Sequence, residues 1–134
     1  MKKSIAGIVY ENGKFLIGRR LNSGEMAGRW EFPGGKVDSG ESIEQTIIRE
    51  FNEEMGVSVV PGKLISSVVF KNKNGPVTLY AYRVFFPSDY TITLTEHTKV
   101  EWATLKEIEA LNFVDSDRLL FPAIKIWCNN DPNC

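Results

Sequence analysis

Glu50, Glu53 and Glu54 are spaced i, i+3 and i, i+4, so a helix through them lines three carboxylates along one narrow edge. Such like charges repel, and acids near a helix C-terminus oppose the helix dipole, each at a cost of about 0.3–1 kcal/mol. A segment that breaks two local rules together needs something cationic against that edge. A hard divalent ion fits: Mg²⁺ takes oxygen ligands in an octahedron and keeps several waters, so carboxylates one turn apart hold it and leave positions for substrate. Mn²⁺ suits the same donors, whereas zinc is disfavoured because no cysteine or second histidine lies nearby. The competing reading is a solvated acidic face. Six acids and two bases lie between Gly35 and Glu54, leaving 11 acids against 14 bases elsewhere. An anionic spot in an otherwise cationic chain suits a metal that bridges to an anionic ligand, whose phosphates the surrounding Arg and Lys then meet.

The carboxylates need a helix to carry them, and residues 43–55 provide one. Ser42 and Gln45 form a capping-box pair, Gly56 supplies the left-handed stop, and Ile47, Ile48, Phe51 and Met55 make an apolar arc beside the acidic edge. Upstream, Trp30-Glu31-Phe32 reads as a strand leading into Pro33-Gly34-Gly35, where paired glycines either let the backbone approach a ligand or form an ordinary loop. Strands 4–10 and 14–19 flank Glu11-Asn12-Gly13, a hairpin signature, and a second hairpin joins LISSVVFK to VTLYAYRVFF around residues 72–76. Lys99 to Ala103 reads as a short strand, Leu105 to Leu111 and Leu119 to Cys128 as helices, the latter with Pro122 in its first turn. Hairpins interleaved with helices predict an α+β architecture, an α/β/α sandwich around a mixed sheet rather than a doubly wound parallel one.

Gly35, Glu41 and the run Arg49-Glu50-Phe51-Asn52-Glu53-Glu54-Met55-Gly56-Val57 resemble the Nudix box, G-x5-E-x7-R-E-U-x-E-E-x-G-U, with every fixed position matched and Phe51 at a usually aliphatic one. The preceding WEFPGGK and the flanking strands are similar to the MutT-like branch of that family, so the resemblance covers nearly the whole chain. It implies the Nudix fold and hydrolysis of a nucleoside triphosphate to monophosphate and pyrophosphate. It also implies that Glu50, Glu53 and Glu54 hold Mg²⁺ with the Gly35 carbonyl, that Glu41 supports this set and that Arg49 orients a glutamate. For the base that takes a proton from water it implies either Glu53 or a glutamate on a later loop, where Glu96 stands. Arg20 matches a phosphate-contacting position and Lys36 is a second candidate for that task, each with a solvated surface residue as its alternative. His97 lies in a polar loop and reads as a surface residue.

In this branch a residue near the start of the last helix reads the base, and Asp117 stands there, with helix capping by Ser116 or Asp117 as the alternative. An ionised aspartate only accepts hydrogen bonds, which suits the amino group of cytosine or adenine, while a protonated one donates to O6 of a guanine. The 8-oxoguanine-cleaning enzymes have asparagine there, so with EHTKVEW the chain looks closer to CTP pyrophosphohydrolase relatives. Phe32, Tyr80 and Phe70 are candidates to stack on the base, or are core. A non-catalytic nucleotide sensor predicts a damaged box, and here every acid is present.

Composition bounds the rest. With 134 residues, 43% of them apolar, there is room for one domain over 1–128 and a polar tail over 129–134. A net charge of -1 supplies no field for a nucleic-acid polymer or an anionic membrane. The first apolar stretch is too short and polar for a leader or a span. Cys128 and Cys134 are too few and too close to staple a fold, so the expectation is a reducing, cytoplasmic setting. No dimerisation segment is visible, and a monomer or weak homodimer is expected.

Overall fold

The computed structural model describes residues 2–24 and 26–129. In chain order the elements are β1 (Lys2–Ile8), β2 (Tyr10–Glu11), β3 (Lys14–Arg20), β4 (Trp30–Glu31), β5 (Gly34–Lys36), α1 (Ile43–Met55), β6 (Val60–Asn72), β7 (Gly75–Phe85), β8 (His97–Ala103), α2 (Leu105–Glu109), α3 (Asp115–Arg118) and α4 (Phe121–Trp127). One mixed sheet has the order β5-β1-β7-β6, with β1 parallel to β7 and antiparallel to β5. A second, antiparallel sheet is built on β3, which pairs with β2, β4 and β8.

Alternation along the strands divides the core in two. Ile5 and Val9 face α1, where Ile47, Phe51 and Met55 are fully buried, each contributing about 1.5–3 kcal/mol by leaving water. Ala6, Ile8, Leu79 and Ala81 face the other way, toward α2 and α4. The expected α/β/α layering results. α1 also has the expected ends: Ser42 and Gln45 close the capping box, and Gly56 takes a left-handed φ of 68°. Ile48, placed in the apolar arc by spacing, is exposed, because the arc's outer margin passes beyond the sheet.

Three elements differ from the sequence reading. The single strand expected over 4–10 divides at Val9: β1 joins the mixed sheet, while β2 turns back on β3 through Asn12 and Gly13, both at positive φ. Gly34-Gly35 is a strand and not a loop, paired with Ala6 and Ile5. The helix expected over Leu119 to Cys128 is α4, which starts at Phe121 with Pro122 in its first turn, and a separate short helix, α3, precedes it. Cys128 after α4 is buried, and Cys134 lies outside the described residues. Among the described residues no helix is long and apolar enough to cross a membrane.

Candidate active site

Six consecutive residues, Trp30 to Gly35, place the elements of the site. The 112–114 segment straps β4 from the side: Trp30 N–H donates to the Asn112 carbonyl and Val114 N–H to that of Trp30, both at 2.9 Å. Glu31 projects into a cleft of about 480 Å³, Phe32 turns into the core, and the Pro33 carbonyl accepts from Gly7 N–H at 2.7 Å. Gly35 then passes directly beneath Glu50: a Cβ on it would lie 2.5 Å from Glu50 Oε2. The other walls of the cleft include Arg20, Lys36, Glu53, Glu54 and Glu96. The expected metal, phosphate and base-catalysis residues are thus brought together around one space, with Glu41 beside it.

Arg49 organises the acids. Its Nε and one terminal nitrogen grip Glu41 bidentately at 2.7 and 2.9 Å, and the other terminal nitrogen reaches Glu50 at 2.7 Å and Glu53 at 3.2 Å. A further bond to the Lys36 carbonyl at 3.0 Å ties the helix to β5. This guanidinium, with help from Thr46 Oγ1 at 2.7 Å, holds the Glu41 carboxyl down to about 2, and the same contact pushes Arg49 further up. Glu50 is pushed up by burial, against the pull of Arg49. Glu54 is only 3% exposed, and burial followed by the nearby charges of Glu50, Glu31 and Glu96 raises it to about 9 although the Gly34 N–H donates to it. Its Oε2 has no hydrogen-bond partner among the described residues. A buried, unpartnered carboxylate oxygen beside two further carboxylates fits a divalent cation, which would offset the desolvation of the ionised form.

Glu96 precedes β8 on a loop docked onto the end of α1. Thr93 N–H donates to the Met55 carbonyl at 2.8 Å, and Thr95 donates to the Glu53 carbonyl through its hydroxyl at 2.7 Å and to the Glu54 carbonyl through its N–H at 3.2 Å. Both candidate bases, Glu53 and Glu96, border the cleft from segments joined by these bonds.

Asp117 lies apart from the carboxylates, in α3. It is 6% exposed, Oδ2 accepts from Phe32 N–H at 2.9 Å, and burial, then the Glu31 charge, raises it to about 8. It does not cap the helix, and neither does Ser116, because the cap position is Val114, which offers no side-chain bond. Phe32 is not placed to stack on a base: its ring is enclosed by Phe15, Phe113 and Phe121. Tyr80 and Phe70 are half-buried against the two core clusters. His97 is not a surface residue. Its side chain is 0% exposed, with Nε2 2.9 Å from Glu31 Oε2. Glu31 itself carries no role in the sequence reading. The alternation Trp30 in, Glu31 out, Phe32 in was the signal that would have placed it on the cleft side.

A family model described as the NUDIX domain matches residues 1–124. The chain belongs to the Nudix family. This Nudix hydrolase is 33% identical over 117 residues to a putative 8-oxo-dGTP diphosphatase 2 of Mycobacterium tuberculosis, covering 85% of this chain and 81% of that one. It is 32% identical over 108 residues to the CTP pyrophosphohydrolase of Escherichia coli, covering 80% and 78%. Its fold superposes on the solution structure of the E. coli ORF135 protein with a TM-score of 0.84 and 29% identity, over 98% of this chain and 94% of that one. The MutT protein of Methanosarcina mazei Go1 follows with a TM-score of 0.81 and 27% identity, over 97% and 95%. Nudix hydrolases act on nucleotides and generally depend on divalent metals, in keeping with the donor set around Glu54.

Proposed function

We propose that this Nudix hydrolase is a Mg²⁺-dependent nucleoside triphosphate pyrophosphohydrolase, with Mn²⁺ as a substitute, releasing nucleoside monophosphate and pyrophosphate. The observation that carries the reading is the cleft where Glu50, Glu53 and Glu54 stand opposite Arg20 and Lys36, with Glu54 Oε2 buried and unpartnered. Glu50, Glu53, Glu54 and the Gly35 carbonyl hold the ion, supported by Glu41 through Arg49. When bound, the ion neutralises the triphosphate and makes a coordinated water more acidic. Arg20 and Lys36 draw the phosphates against the acidic edge and keep the chain in line. Glu53 or Glu96 takes the proton from the attacking water as its oxygen bonds to phosphorus and the anhydride bond breaks.

For the base, an ionised Asp117 accepting from an exocyclic amino group favours cytidine triphosphates or modified pyrimidine nucleotides. One observation favours a second reading: burial raises Asp117 to about 8, so at neutral pH it carries a proton that is donated to O6 of an oxidised guanine, as in an 8-oxo-dGTP diphosphatase. The intact acid set argues against a non-catalytic sensor.

The test is a panel of common and oxidised nucleoside triphosphates scored for pyrophosphate against phosphate release, with and without Mg²⁺. Metal-dependent pyrophosphate release, abolished in Glu53→Gln with the fold intact, is expected. Equal turnover in that variant, or phosphate as the product, overturns the assignment.

A further inference from the structure

Glu31 has both oxygens engaged by neighbouring strands. Arg20 donates to Oε1 from β3 at 3.0 Å, and His97 Nε2 on β8 lies 2.9 Å from Oε2. The imidazole fits because the residue facing it on β3 is Gly18, where a Cβ would lie 2.6 Å from the ring. Its Nδ1 has no partner among the described residues. An interior polar atom left without a partner costs free energy that an apolar side chain of similar shape would not, so the ring is explained by what Nε2 does. Glu31, Glu54 and His97 bring one ligand atom each within 4.8 Å of one another. The two bonds come from different strands, so loss of the donor at Oε2 leaves Glu31 held from β3 alone and free to turn together with the Arg20 guanidinium.

Resting on the reading of the cleft as a triphosphate site, we propose that His97 is a positioning residue: its Nε2–H fixes Glu31, and Glu31 in turn aims Arg20 at the polyphosphate. His97 itself touches neither substrate nor metal.

Two measurements on the full chain test this. Imidazole ¹⁵N NMR of the protein without nucleotide is expected to show a proton on Nε2; an unprotonated Nε2 overturns the proposal. In steady-state kinetics His97→Phe, which keeps a flat aromatic ring and loses the donor, is expected to raise KM for the nucleotide about tenfold with kcat little changed, the factor set by one hydrogen bond to a charged group. His97→Gln, whose amide N–H reaches the same oxygen, is expected to restore KM, and His97→Phe is expected to add nothing in a Glu31→Ala background. A full effect in that background, or a His97→Gln variant as impaired as His97→Phe at equal Tm, overturns it. Should the wild-type protein hydrolyse no triphosphate, the functional reading fails by itself; calorimetric binding of inorganic triphosphate with Mg²⁺ to the same variants then replaces KM, with the same expected and overturning results.

Discussion

Gly35→Ala separates catalysis from folding at one atom. The added methyl carbon would stand 2.5 Å from both the carboxyl carbon and Oε2 of Glu50, where ordinary contact begins at 3.4 Å. Glu50 must therefore retreat by roughly 1 Å, a displacement that costs about 10²-fold in rate when it affects a positioned group. The loss of stability is far smaller. Only the end of a side chain moves, weakening the 2.7 Å contact with Arg49 at a cost of at most about 1.5–3 kcal/mol, while alanine restricts the unfolded chain and returns about 0.4–1 kcal/mol. The expected result is a kcat for pyrophosphate release down about 100-fold with a Tm lower by on the order of 5 °C. Gly34→Ala is the contrast: its methyl would lie 2.0 Å from the Ile5 carbonyl oxygen, which belongs to the β1 backbone and has nowhere to move, so folding itself should fail. Wild-type turnover in Gly35→Ala, or equal destabilisation of the two variants, would refute the placement of Glu50 against that backbone.

Three further outcomes follow from the same geometry. Glu54, raised from 4.5 to about 9, and Asp117, raised from 3.8 to about 8, bind protons in the folded state that the unfolded chain has released, so their contribution to metal-free stability is complete below about pH 4 and is lost as pH rises through those values. A melting series from pH 5 to 9 should show a falling Tm that Mg²⁺ raises most at the alkaline end, and a Tm that climbs with pH in metal-free protein would contradict it. Glu41, held at about 2, acts oppositely: its contribution is complete above 4.5 and disappears as pH falls toward 2. Arg49→Lys, whose single ammonium cannot span both Glu41 oxygens and Glu50, should flatten that acid limb and lower kcat at least about tenfold; unchanged acid melting and turnover would count against the bidentate clamp. Asp117→Asn keeps an acceptor for Phe32 N–H and should shift preference from cytosine toward guanine-type triphosphates without loss of fold, and an unchanged ranking over the panel removes Asp117 from base selection.

The catalytic helix was legible in the sequence because its signals are local: Ser42, Gln45 and Gly56 mark its ends, and the spacing of its glutamates specifies their common edge. The hairpin turn at Asn12-Gly13 was legible for the same reason, but the division at Val9 was not, since which sheet each half joins is decided by distant β7 and β3. His97 and Phe32 were misplaced by similar logic. A polar flank says nothing of the Gly18 that receives the imidazole, and an aromatic beside a glycine pair gives no sign of the three phenylalanines around it. The Phe32–Asp117 bond joins residues 85 positions apart and leaves no trace in either neighbourhood.

The bonds from Thr93 and Thr95 to the last carbonyls of α1 make the 93–96 stretch, mechanically, an outlying turn of that helix rather than a flap beside it. The anchors are main-chain carbonyls, so the backbone that carries Glu96 is registered to the last turn of α1 while the carboxylates of Glu53 and Glu54 stay free to turn on their own side chains.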